Sequence, residues 1–335
     1  MNIIQFARRV GVSSATVSRA FHEPSKLRAK TLDLVLRAAH RLRYYPSPVG
    51  RAIVLGQSDT IGMVWPIEVE GAYAIFAQRM LAAVAEALVH HNQDLFLCPV
   101  DRQSPAAIAH AQRSIRRATC DAWLVLYPRE ADPLIPSLKE SFRPVVLLMG
   151  KLVSVPGWKS VRVDQGHWIR DALERLKRGR ARRVAFLGCR PGEPDHQQRV
   201  TRFRALAPRY FPWFTIFAPG WPVEPAQVAE WFQRERPDAI LGVDDLTALA
   251  ALTALQGMGV AVPEEVQLIG FDDHPDGASA KPRLASYRQP LAAMTDVAVR
   301  MALGRRVTQE RFHPLFVPGQ TLREAALRAV CSNTA

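Results

Sequence analysis

The 335-residue sequence has few cysteines, and their spacing indicates no metal site or redox motif. Cys98, Cys120, Cys189 and Cys331 are far apart, form no C-x-x-C pair, and have no histidine spaced as in a zinc site. We therefore expect structural thiols in a reducing compartment, and we expect no metal and no cofactor.

Long hydrophobic runs are also absent. No apolar stretch approaches the ~20 residues that a membrane-spanning helix needs. The N-terminus reads as an amphipathic helix rather than a continuous apolar segment followed by a cleavage site. The sequence thus predicts a cytoplasmic protein with no membrane partner.

Common catalytic motifs are missing as well. The chain contains no G-x-G-x-x-G, P-loop, G-x-S-x-G or H-E-x-x-H sequence. The adjacent acids Asp244-Asp245 and Asp272-Asp273 are interpreted as helix caps and hydrogen-bond acceptors, and His167, His196 and His274 as surface or core residues. These absences argue against an α/β enzyme.

Acidic residues are scarce at the N-terminus, where positive charge is concentrated. Residues 1–59 hold ten Lys and Arg against three acids, a net charge of +7 out of +13 for the whole chain. Cations at this density are typical of a surface that binds nucleic-acid phosphates, the alternative being a solvated basic face.

The same segment has the pattern of a helix-turn-helix. Apolar residues recur at helical spacing before Gly11, which supplies the chain reversal, and Ser13 is a candidate N-cap of the second helix. A third helix is predicted from Ala29 to Leu42. Its inward residues are expected to be Leu32, Val35, Leu36, Ala39 and Leu42. This arrangement exposes the second helix for a DNA major groove.

From Thr60 onward, short apolar strands alternate with amphipathic helices. Such a pattern is typical of parallel sheets covered on both faces, and the length favours two similar subdomains. Ligands in these folds bind beyond the carboxyl ends of strands. Strands are predicted at 60–65, 94–100, 122–127, 144–150, 160–163, 182–188, 214–219, 239–243 and 266–271. Helices are predicted at 72–91, 105–118, 165–177, 197–210, 225–234 and 246–258.

Several collinear motifs resemble those of the LacI/GalR family of bacterial transcriptional regulators. They are GVSSATVSRAF (11–21), the segment TLDLVLRAAHRLRYYPSP (31–48), SVRVDQ (160–165), AILGVDD (239–245), VPEEVQLIGFDD (262–273) and LASYRQP (284–290). The resemblance covers nearly the whole chain. It implies an all-α helix-turn-helix headpiece followed by a periplasmic-binding-protein-like core of two doubly wound α/β subdomains.

The resemblance assigns DNA contacts to the second helix. Ser14, Ala15 and Arg19 align with base-reading positions, and the alternative for Arg19 is a phosphate contact. Ser13, Thr16 and Ser18 are expected to hold phosphates or cap the helix. Tyr44 and Tyr45 have core packing as an equal alternative.

Residues 46–59 are expected to form a hinge helix and linker. Ile53 aligns with the family's leucine that wedges between base pairs in the minor groove, with Gly50 and Arg51 beside it. Gly50 replaces an alanine and costs about 1 kcal/mol in an exposed helix, so we expect this hinge to fold less readily away from DNA.

The resemblance also assigns a candidate effector site. Arg199 matches an arginine that grips ligand hydroxyls or carboxylates, and Asp272 an acid that accepts from sugar hydroxyls. Tyr73, Trp221 and Asp244 complete the predicted set, with core burial an alternative for Trp221. Gln165 and Asp244 replace family asparagines, which favours a ligand other than the common hexoses.

The sequence therefore predicts a repressor that binds a pseudo-palindromic operator as a homodimer. A small polar ligand, a sugar or related metabolite, controls it allosterically from the cleft between the core subdomains. The alternative is a solute-binding protein of transport type without a regulatory role. The predicted domains are the DNA-binding domain at 1–45, the hinge at 46–59, one subdomain at 60–160 with 290–318, and the other at 161–289 with 319–335.

Overall fold

The computed structural model describes residues 1–45, 56–67, 73–129, 131–150 and 155–323, without the side chains of His22, Tyr73 and Ala74. The chain forms two compact units. The first comprises Met1–Thr60 with Ala118–Asp121, and the second comprises Ile61–Arg117 with Ala122–Ala335.

The first unit is helical at its N-terminus. Its helices are α1 (Ile3–Val10), α2 (Ser14–His22) and α3 (Ala29–Arg41), with a 3₁₀ turn at Pro24–Lys26. Asn2 caps α1 by accepting from the Gln5 amide at 2.9 Å, and the Gln5 side chain accepts from the Asn2 amide in return. Gly11 ends α1 with φ 74°, a conformation that glycine adopts without a Cβ clash.

A small apolar core joins these three helices. Phe6, Val17 and Val35 are completely buried, and Tyr44 stacks on Phe6 with ring centroids 4.1 Å apart. Tyr44 is therefore a core residue, whereas Tyr45 is 82% exposed.

The expected inward position of Leu36 is wrong, because this side chain is 43% exposed and Ala38 is buried in its place. At about 100° per residue, Leu36 lies roughly 100° from the centre of the face formed by Val35, Ala38, Ala39 and Leu42.

The second unit contains a six-stranded sheet. Its strands are β1 (Thr60–Pro66), β2 (Asp94–Val100), β3 (Ala122–Leu126), β4 (Val145–Leu148), β5 (Lys159–Val163) and β11 (Arg311–Phe312), in the order β11-β5-β4-β3-β1-β2. The pairs β1/β3, β3/β4, β4/β5 and β5/β11 are parallel. Every residue of β3 and β4 is buried, as apolar strands covered on both faces require.

A four-stranded parallel sheet follows. It consists of β6 (Arg183–Leu187), β7 (Trp213–Phe217), β8 (Ala239–Gly242) and β9 (Gln267–Ile269), in the order β7-β6-β8-β9. A separate antiparallel pair joins β10 (Ser286–Arg288) to β12 (Leu315–Val317).

Helices flank these sheets. They are α4 (Tyr73–His90), α5 (Pro105–Arg117), α6 (Ile135–Glu140), α7 (Gln165–Arg178), α8 (Pro194–Leu206), α9 (Pro225–Glu235), α10 (Asp245–Gly257), α11 (Pro275–Ser279) and α12 (Leu291–Ala302). A 3₁₀ turn at Ala207–Arg209 extends α8. Late in the chain, α12 returns to α4, where the Thr295 hydroxyl donates to the Ala83 carbonyl at 3.0 Å.

Among the described residues, no helix has both the length and the hydrophobicity that crossing a lipid bilayer requires.

Candidate functional site

Helix α2 presents one polar, exposed face. Ser14, Ala15 and Arg19 are exposed, whereas Val17 and Ala20 on the opposite side are buried in the core. The three predicted base-reading side chains thus project from one side of a helix whose other side is fixed by packing.

Ser13 holds the first turn of α2. Its hydroxyl accepts from the Thr16 amide at 3.0 Å and lies 2.9 Å from the Thr16 hydroxyl, while Ser18 is partly buried. The predicted N-cap is present, and it positions the polar face of α2. Gly50, Arg51 and Ile53, predicted for the hinge, lie outside the described residues.

In the second unit, Arg199 of α8 is buried at the carboxyl ends of the four-stranded sheet. Its Nη1 donates to the Val243 carbonyl at 2.7 Å and its Nε to the Gln165 side-chain oxygen at 3.2 Å. The guanidinium also lies over the Phe271 ring, 3.9 Å from its centroid. These contacts fix the fork of a positive charge that is only 3% exposed.

Buried carboxylates surround this arginine. Burial raises the pKa of Asp195 and of Asp272, and it raises the pKa of Asp244 to about 6; the charge on Arg199 opposes all three increases. Asp244 caps α10 by accepting from the Thr247 amide at 2.8 Å, and Asp272 accepts from the Gln289 side chain at 2.5 Å. The site therefore pairs one fixed cation with three acids whose pKa values are raised by burial.

Asp245 has a structural role beside them. Its carboxylate accepts from the His274 amide at 2.6 Å and from the Ser286 hydroxyl at 2.7 Å. It thereby ties the start of α10 to the loop after β9, which carries Asp272, and to β10.

Trp221 contacts His196, and His196 in turn lies beside the acidic residues. The two rings meet edge to face with centroids 5.4 Å apart, and His196 Nε2 is 3.8 Å from Asp244 Oδ2. Burial and the charges on Arg199 and Arg190 hold the pKa of His196 well below its usual range. Its Nδ1 accepts from the Arg190 amide at 3.1 Å, so the neutral ring carries its proton on Nε2.

Three predicted effector residues thus lie close enough for their charges to interact: Arg199, Asp244 and Asp272. Trp221 lies near them. The side chain of Tyr73 is outside the description, although its backbone begins α4. From the same helix, Phe76 and Arg79 line a pocket with Asp244 and Asp272.

Contacts join elements of the two sheets across this region. Arg79 of α4 donates to the Asp272 and Asp273 carbonyls at 3.2 and 2.9 Å. The Gly150 amide, which follows β4, donates to Asp195 at 3.4 Å. A molecule bound here would contact residues from both sheets.

Comparison with known proteins identifies both parts of this architecture. Residues 2–47 match the model of bacterial regulatory proteins of the lacI family, and residues 173–323 match a periplasmic binding protein-like domain. The transcriptional regulator GalS of Salmonella typhimurium is 26% identical over 309 residues, which cover 90% of this chain and 89% of GalS. The chain joins a LacI-family DNA-binding domain to a periplasmic-binding-protein-like domain.

Solved structures confirm the predicted fold. A lac repressor dimer bound to operator and the anti-inducer ONPF superposes with a TM-score of 0.77 at 19% identity, covering 96% of this chain and 98% of the other. The regulator CelR in complex with cellobiose gives a TM-score of 0.66 at 23% identity, covering 96% and 99%. The predicted headpiece and α/β core are therefore those of this LacI-family fold.

Sequence reasoning missed several residues of the cleft. Glu193, Asp195 and His196 directly follow the strand RRVAFLG through a Pro- and Gly-containing loop. The rule that ligands bind beyond strand ends applies to them equally. Glu193 and Asp195 lie in none of the motifs that carry the resemblance, and His196 is interpreted from the sequence only as a surface or core residue.

Proposed function

We propose that this regulator binds a pseudo-palindromic operator as a homodimer and represses transcription in the cytoplasm. A small polar ligand, a sugar or related metabolite, binds the core cleft and changes the affinity for operator DNA. The core acts as a sensor and not as an enzyme. The predicted domain boundaries belong to the same proposal.

The division of α2 into two faces carries this proposal. The buried face of Val17 and Ala20 fixes the helix, so Ser14, Ala15 and Arg19 can enter a major groove without rearrangement. Arg19 can donate two hydrogen bonds to guanine, and Ala15 offers a methyl contact. A transport protein for solutes has no use for this surface.

The cleft supports a ligand with several hydroxyl groups. Carboxylates accept from hydroxyls and the Arg199 fork donates to oxygen atoms, so the cluster offers both halves of polyol recognition. The structurally similar CelR was solved with cellobiose, in agreement with a carbohydrate-type ligand.

Control of DNA binding follows from differential affinity. A ligand shifts the equilibrium between two core conformations only if it binds one of them more tightly. The contacts of Arg79 with the Asp272 and Asp273 carbonyls, and of Gly150 with Asp195, join the two sides of the cleft. A ligand that alters these contacts changes the arrangement that the core favours.

The DNA-binding half is tested by selecting duplexes from a random library with the full-length protein. Arg19→Ala should weaken the selected site by about tenfold or more, because one bidentate base contact contributes about 1–3 kcal/mol of discrimination. The control is Arg143→Ala, which removes an exposed arginine outside the DNA-binding helices. Equal loss on selected and random DNA would reassign Arg19 to a phosphate contact.

The ligand half is tested by thermal unfolding against sugars, sugar acids and nucleobases. Binding to the folded state alone raises the melting temperature by mass action. Asp272→Asn should abolish the shift, and Arg199→Ala, whose buried contacts also hold the fold, is a second variant. If no selected DNA is bound while a solute is, the solute-binding alternative replaces our proposal.

A further inference from the structure

A cavity of about 360 Å³ lies where β1, β3 and β6 end, and its wall carries an excess of positive charge. Three arginines line it, Arg102, Arg129 and Arg190. Among the described residues of this wall, Glu193 is the single acid. A cavity with this composition attracts negative charge.

Arg102 has a structural role in the wall. Its Nε donates to the Asp132 carboxylate at 2.8 Å, and its Nη2 donates to the Leu126 carbonyl at 3.3 Å. Both partners of this ion pair are buried, and the pair fixes the wall beside β3. Arg129 and Arg190 also line the cavity. The first follows β3 of the six-stranded sheet and the second follows β6 of the four-stranded sheet, so they approach the cavity from different sheets.

Glu193 adds an acid that readily takes up a proton. Its Oε1 is buried and has no hydrogen-bond partner among the described residues. Burial and the nearby Asp195 raise the pKa of Glu193 to about 7, against the opposing charges of Arg190, Arg199 and Arg129. Near neutral pH, Glu193 offers either an acceptor or an O–H donor toward the cavity.

We propose that this cavity binds the anionic group of the effector, so that the effector is a negatively charged, polyhydroxylated metabolite. Guanidinium groups recognise carboxylate or phosphate oxygens through two parallel hydrogen bonds. Phe76 lines both this cavity and the small pocket that contains Asp272, so a molecule in the cavity can direct a hydroxyl group toward Asp272. The inference rests on the proposed ligand control of this cleft.

The test compares four probes at constant ionic strength: glucose, gluconate, glucose 6-phosphate and inorganic phosphate. Thermal unfolding and calorimetric titration of the full-length protein report binding. We expect one of the two anionic sugars to bind about tenfold or more tightly than glucose. The carboxylate and phosphate probes distinguish the two sources of negative charge.

The double variant Arg129→Ala/Arg190→Ala should lose this preference for anions by about tenfold or more and retain the affinity for glucose. Arg143→Ala/Arg204→Ala is the matched control, because it removes two exposed arginines that do not line the cavity. Binding of anions by the cavity variant at the control's affinity would overturn the inference.

The outcomes also separate this inference from the proposed function. If glucose binds as tightly as the anions and Asp272→Asn abolishes binding, the effector cleft stands and the anionic subsite is wrong. If inorganic phosphate alone binds, the cavity holds an isolated ion and the assignment of the effector is wrong. If no probe binds, the inference fails. The DNA-binding proposal is still tested separately by comparing operator binding of the wild type and Arg19→Ala.

Discussion

Single residues in this protein affect its stability through the hydrogen-bonding groups that they satisfy or leave unsatisfied. Ser13 satisfies one free amide of α2, whereas Glu193 keeps a buried oxygen that has no hydrogen-bond partner in the part of the chain that the structure describes. The first arrangement stabilises its local structure, and the second is tolerated because the carboxyl group can bind a proton.

Ser13→Ala should lower the local stability of α2 by about 1 kcal/mol, since the Thr16 amide loses its acceptor. The corresponding decrease in hydrogen-exchange protection of α2 amides is about fivefold. Ser13→Asp should restore most of the protection. Ser25→Ala, at an exposed serine, is the control, and equal protection in both alanine variants would show that the cap contributes nothing.

Glu193→Gln should make the protein more stable than the wild type at pH 8 and not at pH 5. The folded pKa of Glu193, about 7, is above its ordinary value of 4.5, so folded wild type binds more protons between these values and loses stability as pH rises through them. Glutamine carries no charge at either pH. Melting temperatures at both pH values check this, with the exposed Glu264→Gln as control. A constant difference between wild type and variant across this range would refute the buried charge.

At the scale of elements, the loop after β9 is positioned by its close approach to α10. Gly270 faces Asp245 so closely that a Cβ there would overlap the Asp245 Oδ1 atom and approach its Cα at 3.0 Å. Because Asp245 also holds His274 and Ser286, this close approach sets the path of the chain through Asp272.

Gly270→Ala should therefore destabilise the core by about 1–3 kcal/mol, since Asp245 must leave its two donors or the loop must shift. The matched control is Gly257→Ala at the end of α10, where a Cβ meets nothing within 4 Å. That substitution should be neutral or stabilising by up to about 1 kcal/mol. Denaturant unfolding compares the two, and a neutral Gly270→Ala would show that the loop relaxes freely.

At the scale of the whole molecule, the proposed function requires thermodynamic coupling between two sites. If the effector lowers operator affinity by some factor, operator DNA must lower effector affinity by the same factor. Operator titrations at saturating effector, and effector titrations at saturating operator, should give equal factors for the wild type. Asp272→Asn should leave operator affinity intact and remove its response to the effector. Unequal factors would mean that the effector binds somewhere other than a single coupled site.

Much of the fold could be predicted from local pattern. The uniformly apolar strands such as AWLVL and VVLL lie within a residue or two of their predicted bounds. The short strands β10, β11 and β12 were not predicted, because two or three residues contain no periodicity. The prediction that Leu36 faces inward was wrong for a related reason, because spacing alone does not decide burial at the edge of a helical face.

The sequence by itself determined the helix-turn-helix and the alternating α/β core. Gly11, the Ser13 cap and the apolar periodicity act over a few residues, so their consequences are local. Only the tertiary structure brought Arg129, Arg190 and Glu193 to one cavity and added Asp195 to the predicted group of Arg199, Asp244 and Asp272. The residues of the cavity lie up to 64 positions apart and those around Arg199 up to 77, and they follow different strands. Their convergence depends on the order of strands in two sheets, which no local pattern encodes.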